Sequence, residues 1–120
     1  MAFAVCNRAY SEITEIKQGG LAINISEVLS ADEPGVMVFH APWDQDSISL
    51  VERLTEWAKS YPNLTIVLID VVDARTQVYR QFSLKMLPSI IVMDRYHEQL
   101  GETVFDVDDL EDLLRNHRII

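Results

Sequence analysis

The chain has 120 residues, 48% of them hydrophobic and 24% charged, the size and balance of one globular domain with a core of its own. Ten Lys and Arg stand against 19 Asp and Glu, a formal charge of −9, so a phosphate backbone is repelled over most of the surface and nucleic acid is not an expected partner. No apolar run nears the roughly 20 residues that cross a bilayer, and Met1-Ala2-Phe3-Ala4-Val5-Cys6 lacks the basic flank and long apolar stretch of a secretory signal, so a cytoplasmic protein with no membrane partner is expected.

Residues 4–17 carry Val5, Ala9, Tyr10, Ile13 and Ile16 at spacings of three to five, ahead of Gly19-Gly20. That pattern predicts an N-terminal helix, an extension over 1–19 of a single domain spanning 1–120. Residues 21–25 alternate as a short strand does, and Ser26 with Glu27, Val28 and Leu29 reads as the capped start of a short helix that is over by Asp32-Glu33-Pro34-Gly35. Val36-Met37-Val38-Phe39 is a β-branched apolar run between turn residues, as in a strand buried on both faces. Ile48, Val51, Leu54, Trp57, Ala58 and Tyr61 then mark an amphipathic helix closed by Pro62-Asn63. Residues 64–72 predict a second central strand, and Val78, Tyr79 and Phe82 a short helix. Ser89-Ile90-Ile91-Val92-Met93 reads as a third strand, residues 94–99 as a hairpin turn and residues 102–105 as its return strand. Asp106-x-x-Asp109 opens a last helix through Leu110, Leu113 and Leu114, its acidic first turn facing the positive end of the helix dipole. The order is β-α-β-α-β-α-β-β-α behind an extra helix, an α/β mixed sheet with helices on both faces.

Cys6 is the single cysteine, which excludes an internal disulfide, a Cys-x-x-Cys redox pair and a cysteine-based zinc site. It reads as a reduced thiol in a small core position. His40, His97 and His117 show no ligand spacing, so no metal and no cofactor are expected.

The element order and two local strings resemble the thioredoxin fold. Val36-Met37-Val38-Phe39-His40-Ala41-Pro42-Trp43-Asp44-Gln45-Asp46-Ser47 is similar to the family's strand and active-site loop, an apolar strand followed by Ala, any residue, Trp and Cys-Gly-Pro-Cys. Phe82-Ser83-Leu84-Lys85-Met86-Leu87-Pro88-Ser89 is similar to the stretch ending in the family's cis-proline. The likeness covers about residues 20 to 116. It implies a three-layer thioredoxin-like fold with a cis Leu87–Pro88 bond. The departures bear on function. Asp44 and Ser47 stand where the family has its cysteines, and neither can supply the thiolate that disulfide exchange requires. The family's buried proton-managing Asp and Lys align with Val38 and Leu68.

What the resemblance leaves is a groove. Its expected walls are Pro42, Trp43, Asp44, Gln45, Asp46 and Ser47 on one side and Leu87 and Pro88 on the other. In the family the cis-proline turn exposes backbone groups that pair with an extended peptide. A redox-inactive adapter, chaperone or assembly factor that binds a protein or peptide is therefore expected, with no catalytic residue. Chaperones of hydrogenase-maturation operons are similar in layout, with an N-terminal helix before the first strand and a turn like Tyr61-Pro62-Asn63. Two other readings stand beside this one. Asp44 and Asp46, with His40, Asp70 and Asp73 in reach, are the carboxylates a metal-dependent or acid–base enzyme would use, although each Asp on the helix start also fits a cap or dipole role worth about 1 kcal/mol. A homodimer formed through the hairpin edge or the N-terminal helix is the third.

Overall fold

A computed structural model describes residues 12–30, 32–61 and 64–120. In chain order the elements are β1 (Glu12–Ile16), α1 (Ile25–Val28), β2 (Gly35–His40), α2 (Gln45–Ala58), β3 (Thr65–Asp70), α3 (Gln77–Gln81), β4 (Ser89–Met93), β5 (Gln99–Val104) and α4 (Val107–Asn116). The five strands form one sheet in the order β1-β3-β2-β4-β5. β1 and β2 both run parallel to β3, while β4 is antiparallel to β2 and to β5. This is the mixed sheet that parallel βαβ units followed by a hairpin require.

Alternation along the central strands divides the core in two. Val36 and Val38 of β2 join Ile66, Leu68, Ile90 and Val92 on one face, which α2 covers with Leu50, Leu54 and Ala58 and α4 with Val107, Leu110 and Leu114. Met37 and Phe39 turn to the other face, against Val67, Ile69, Ile91, Val78 of α3 and Ile23 and Leu29 around α1. Every residue of β2 and β4 is buried, which accounts for their unbroken apolar runs. Each fully buried Val, Leu, Ile or Met side chain contributes about 1.5–3 kcal/mol.

The first strand lies earlier than the sequence pattern suggests. Residues 12–16 form β1 and not the end of a helix, which corrects the helical extension over 1–19; the expected helix before residue 12, and Cys6 with it, lie outside the described residues. The spacing of three between Ile13 and Ile16 misleads. On a strand it puts the two side chains on opposite faces, and both faces here have a core to meet: Ile13 packs on the α2/α4 cluster and Ile16 on the α1/α3 cluster.

Residues 21–25 accordingly are not a strand. The Ala22 N–H donates to Gln77 Oε1 (3.3 Å), the Ile23 N–H to Gln81 Oε1 (2.8 Å), and Gln81 Nε2 donates back to the Ile23 carbonyl (2.7 Å). Two glutamines of α3 thus satisfy the backbone groups that a neighbouring strand would have taken. The approach is made by Gly20, at φ 82°, where a Cβ would sit 2.4 Å from Thr76 Cγ2 and 2.9 Å from the Val71 carbonyl oxygen. The cap of α1 is Asn24, whose side chain accepts from the Ser26 N–H, in place of the expected Ser26. The hairpin returns at Gln99, three residues before the expected start, because the turn is tight: Asp94 Oδ1 accepts from the N–H of Tyr96 (2.8 Å) and of Glu98 (3.0 Å), with His97 at φ 62°. The last helix starts as expected, Asp106 capping it through the Asp109 N–H at 2.8 Å.

Candidate functional site

β2, the central strand, ends at His40, and Ala41, fully buried, anchors the loop that follows. Asp44 caps α2: its Oδ2 accepts from both the N–H and the hydroxyl of Ser47, each at 3.0 Å, and the Ser47 Oγ in turn accepts from the Ala41 N–H at 3.1 Å. This chain of bonds ties the strand end to the helix start. It also corrects the expected role of Ser47, which is wholly buried and braces the loop from beneath. Pro88 is likewise buried, at the cis Leu87–Pro88 bond that the resemblance implied.

Trp43 stands out from the same loop. Its ring is 68% exposed, yet its Nε1–H donates to the Val72 carbonyl at 2.6 Å, so the ring has a fixed orientation. Val72 makes this bond from φ 73°, a left-handed conformation that a β-branched residue rarely adopts. The Asp70 carboxylate holds it there by accepting the Val72 N–H at 3.0 Å. Trp43, Asp44, Asp73, Arg75, Tyr79, Met86 and Leu87 enclose a groove of about 440 Å³. Met86, 50% exposed, lines the same groove. Of the residues expected at the site, Trp43, Asp44 and Leu87 line this groove, while Pro42 on the loop and Gln45 and Asp46 in the first turn of α2 are exposed outside it.

The wall formed by residues 72–79 was not legible as part of the site. The one local signal is Asp70-Val71-Val72-Asp73, an Asp on either side of the turn that ends β3. Asp73 Oδ1 accepts the Arg75 N–H at 2.8 Å, and Oδ2 the Arg75 guanidinium at 3.1 Å. The Arg75 side chain, followed by its backbone N–H, holds the Asp73 carboxyl below the usual carboxylate range.

Each carboxylate near the groove already has a local hydrogen-bond partner. Asp44 is committed to the helix cap, Asp70 to the Val72 amide and Asp73 to Arg75. Among the described residues no three His, Cys, Asp or Glu side chains converge to hold a metal ion. His40 is buried one strand from Glu15, its Nε2 3.9 Å from Glu15 Oε2 and without a hydrogen bond. Burial pushes its pKa below the ordinary value, against the opposing pull of Asp70 and then Glu15. Val38 and Leu68, which align with the proton-managing pair of the thioredoxins, face each other across β2 and β3 and are buried.

No family model matches the chain. A curated relative, thioredoxin H8 of Arabidopsis thaliana, is 34% identical over 82 residues, 68% of this chain and 55% of the relative, so the chain spans about half the length of that protein. Among solved structures, the short form of spinach chloroplast thioredoxin f superposes with a TM-score of 0.72 at 13% identity, covering 95% of this chain and 98% of that one. Reduced Schistosoma mansoni thioredoxin pre-protein gives 0.70 at 18% identity, over 88% of this chain and 97% of its own. Trypanosoma brucei brucei thioredoxin gives 0.70 at 18%, over 91% and 93%. At such identities the structural likeness concerns the fold. The chain has a thioredoxin-like fold, and it carries a single cysteine where a thioredoxin active site needs a pair.

Proposed function

We propose that this is a redox-inactive thioredoxin-like protein of the cytoplasm that binds an extended segment of another protein in the groove between Trp43 and Leu87, as an adapter, chaperone or assembly factor. One observation carries the reading: a tryptophan 68% exposed to solvent is nevertheless held in place by a 2.6 Å hydrogen bond to Val72, in a groove that exposed Met86 also lines. An ordered, exposed aromatic beside a flexible thioether is a surface whose binding cost has been reduced in advance. Asp44, Gln45, Asp46 and Ser47 supply no thiolate, so the groove acts by contact and not by disulfide exchange.

The test is capture of partners from an extract of the cells that make the protein, in excess reductant, comparing the native chain with a Trp43→Ala, Met86→Asp variant. A protein retained by the native chain and lost by the variant is the expected result. Partners held equally by both, or no partner held by the native chain in reductant, overturn the proposal.

A further inference from the structure

A second cavity lies at the opposite pole of the sheet. β2 runs from Gly35 to His40, and Trp43 follows its far end, whereas Pro34, the β4–β5 turn and the end of α4 meet at its near end. They enclose about 400 Å³ lined by Asp94, Arg95, Tyr96, Leu100, His117 and Arg118, together with Pro34 and Ile119.

Two cations of this acidic chain line the cavity. Lys17, Arg53, Lys59, Arg75 and Arg115 each pair with a carboxylate. Among the described residues Arg80, Lys85, Arg95 and Arg118 make no salt bridge, and of these four Arg95 and Arg118 line the cavity. Both sit on braced turns. Arg95 and Tyr96 lie in the loop fixed by Asp94, whose N–H also donates to the Glu98 carbonyl at 2.8 Å. Arg118 holds φ 59° at the end of α4, between an N–H bond to the Arg115 carbonyl (3.1 Å) and the Ile119 N–H bond to Leu114 (2.8 Å). These two bonds are the left-handed cap that commonly ends a helix, and they fix the point from which the Arg118 side chain leaves α4. Tyr96 is 72% exposed, with the Arg95 guanidinium 5.7 Å from its ring centroid. The one carboxylate of the lining, Asp94, has its Oδ1 engaged by two turn amides.

We propose that this cavity binds a small phosphomonoester carried on a planar ring. The phosphate lies between the guanidinium forks of Arg95 and Arg118, whose geometry suits paired donation to phosphate oxygens, with His117 as a further donor. The ring rests on Tyr96 and Leu100. The volume suits a ligand of that size. A nucleic-acid polymer does not fit the same reading, because its charge would meet the acidic remainder of the surface.

The test uses phenyl phosphate, inorganic phosphate and phenol as probes, each titrated into the ¹⁵N-labelled full chain and followed by amide chemical shifts. Phenyl phosphate should give saturable shifts confined to residues 94–100 and 117–119, and should bind more tightly than either fragment. Arg95→Gln with Arg118→Gln should weaken it by about tenfold or more, through loss of the charge-assisted bonds. Tyr96→Leu should leave the phosphate bound and remove the preference for the aryl ester. All three positions are exposed, and unchanged amide spectra elsewhere report an intact fold. Absent or unsaturable shifts, shifts centred on Trp43, binding indifferent to the arginine changes, or inorganic phosphate binding as tightly as phenyl phosphate would each overturn the proposal.

Discussion

The interior strands and the loop after β2 follow opposite rules. β2 and β4 expose no residue, and their side chains alternate between two apolar clusters with no titratable group between Gly35 and Phe39. A few residues further on, Trp43 is exposed, Asp44 caps a helix, Val72 bonds to Trp43 from a left-handed conformation, and Met86 is half exposed in the groove. The interior retains what a thioredoxin-like sheet needs for stability. The mouth carries Asp44 and Ser47 at the positions where the resemblance places the family's cysteines, and a fold of this kind does not by itself dictate the chemistry at its mouth.

The contrast can be broken in several places. The largest expected effect is on the interior: Phe39→Ala, which removes a fully buried ring tilted against Phe82 with centroids 4.8 Å apart, should cost about 3–5 kcal/mol in urea unfolding. A loss as small as that of a surface change would mean that the buried layer does not hold the fold. Restoring cysteines with Asp44→Cys and Ser47→Cys should leave disulfide-reductase turnover about 10²–10⁴ below that of a thioredoxin, because Val38 and Leu68 cannot move protons. Turnover at the ordinary level would show that the sheet beneath was never the limit. Ser47→Ala should destabilise by about 1–3 kcal/mol, since the buried Ala41 N–H then loses its acceptor; a neutral result would remove the loop brace from the explanation.

His40 gives a smaller, pH-dependent term. Burial lowers its folded-state pKa below the ordinary 6.5, partly offset by Asp70 and Glu15, with Lys17 acting in the same direction as burial. The unfolded chain therefore takes up a proton first as pH falls below 6.5, so the stabilisation from the neutral ring is complete above that value and is lost as pH drops to the folded pKa. His40→Gln should flatten that part of the stability profile, and an unchanged profile would contradict the assignment. The smallest effect belongs to Trp43→Ala, which should alter stability by no more than about 0.5 kcal/mol, as exposed positions do. A larger loss would make Trp43 a lid on the core instead of a contact surface.

What was legible in the sequence follows from burial. β4 was read at its observed limits, and the core of β2 within one residue of each end, because strands covered on both faces need unbroken apolar runs. β1, an edge strand with Ile13 and Ile16 on opposite faces, imitates a helix period, and residues 21–25 imitate a strand whose backbone α3 glutamines satisfy instead. At the site, the Asp44 cap and Trp43 could be read locally. The Val72–Tyr79 wall could not, because the Trp43–Val72 bond joins residues 29 positions apart and no spacing rule reaches that far. The burial of Ser47 was equally hidden, since its hydroxyl is drawn inward by an amide on the preceding strand end.

The claim that the groove acts by contact is tested most directly by calorimetric titration of a captured partner into the native chain and into Trp43→Ala, both in excess reductant. The expected result is binding by the native chain that survives reduction and weakens by about tenfold or more in the variant, the loss typical of a central aromatic contact, while unfolding free energies stay within about 0.5 kcal/mol of each other. Equal affinity for the two chains, or binding that disappears with reductant, would contradict it.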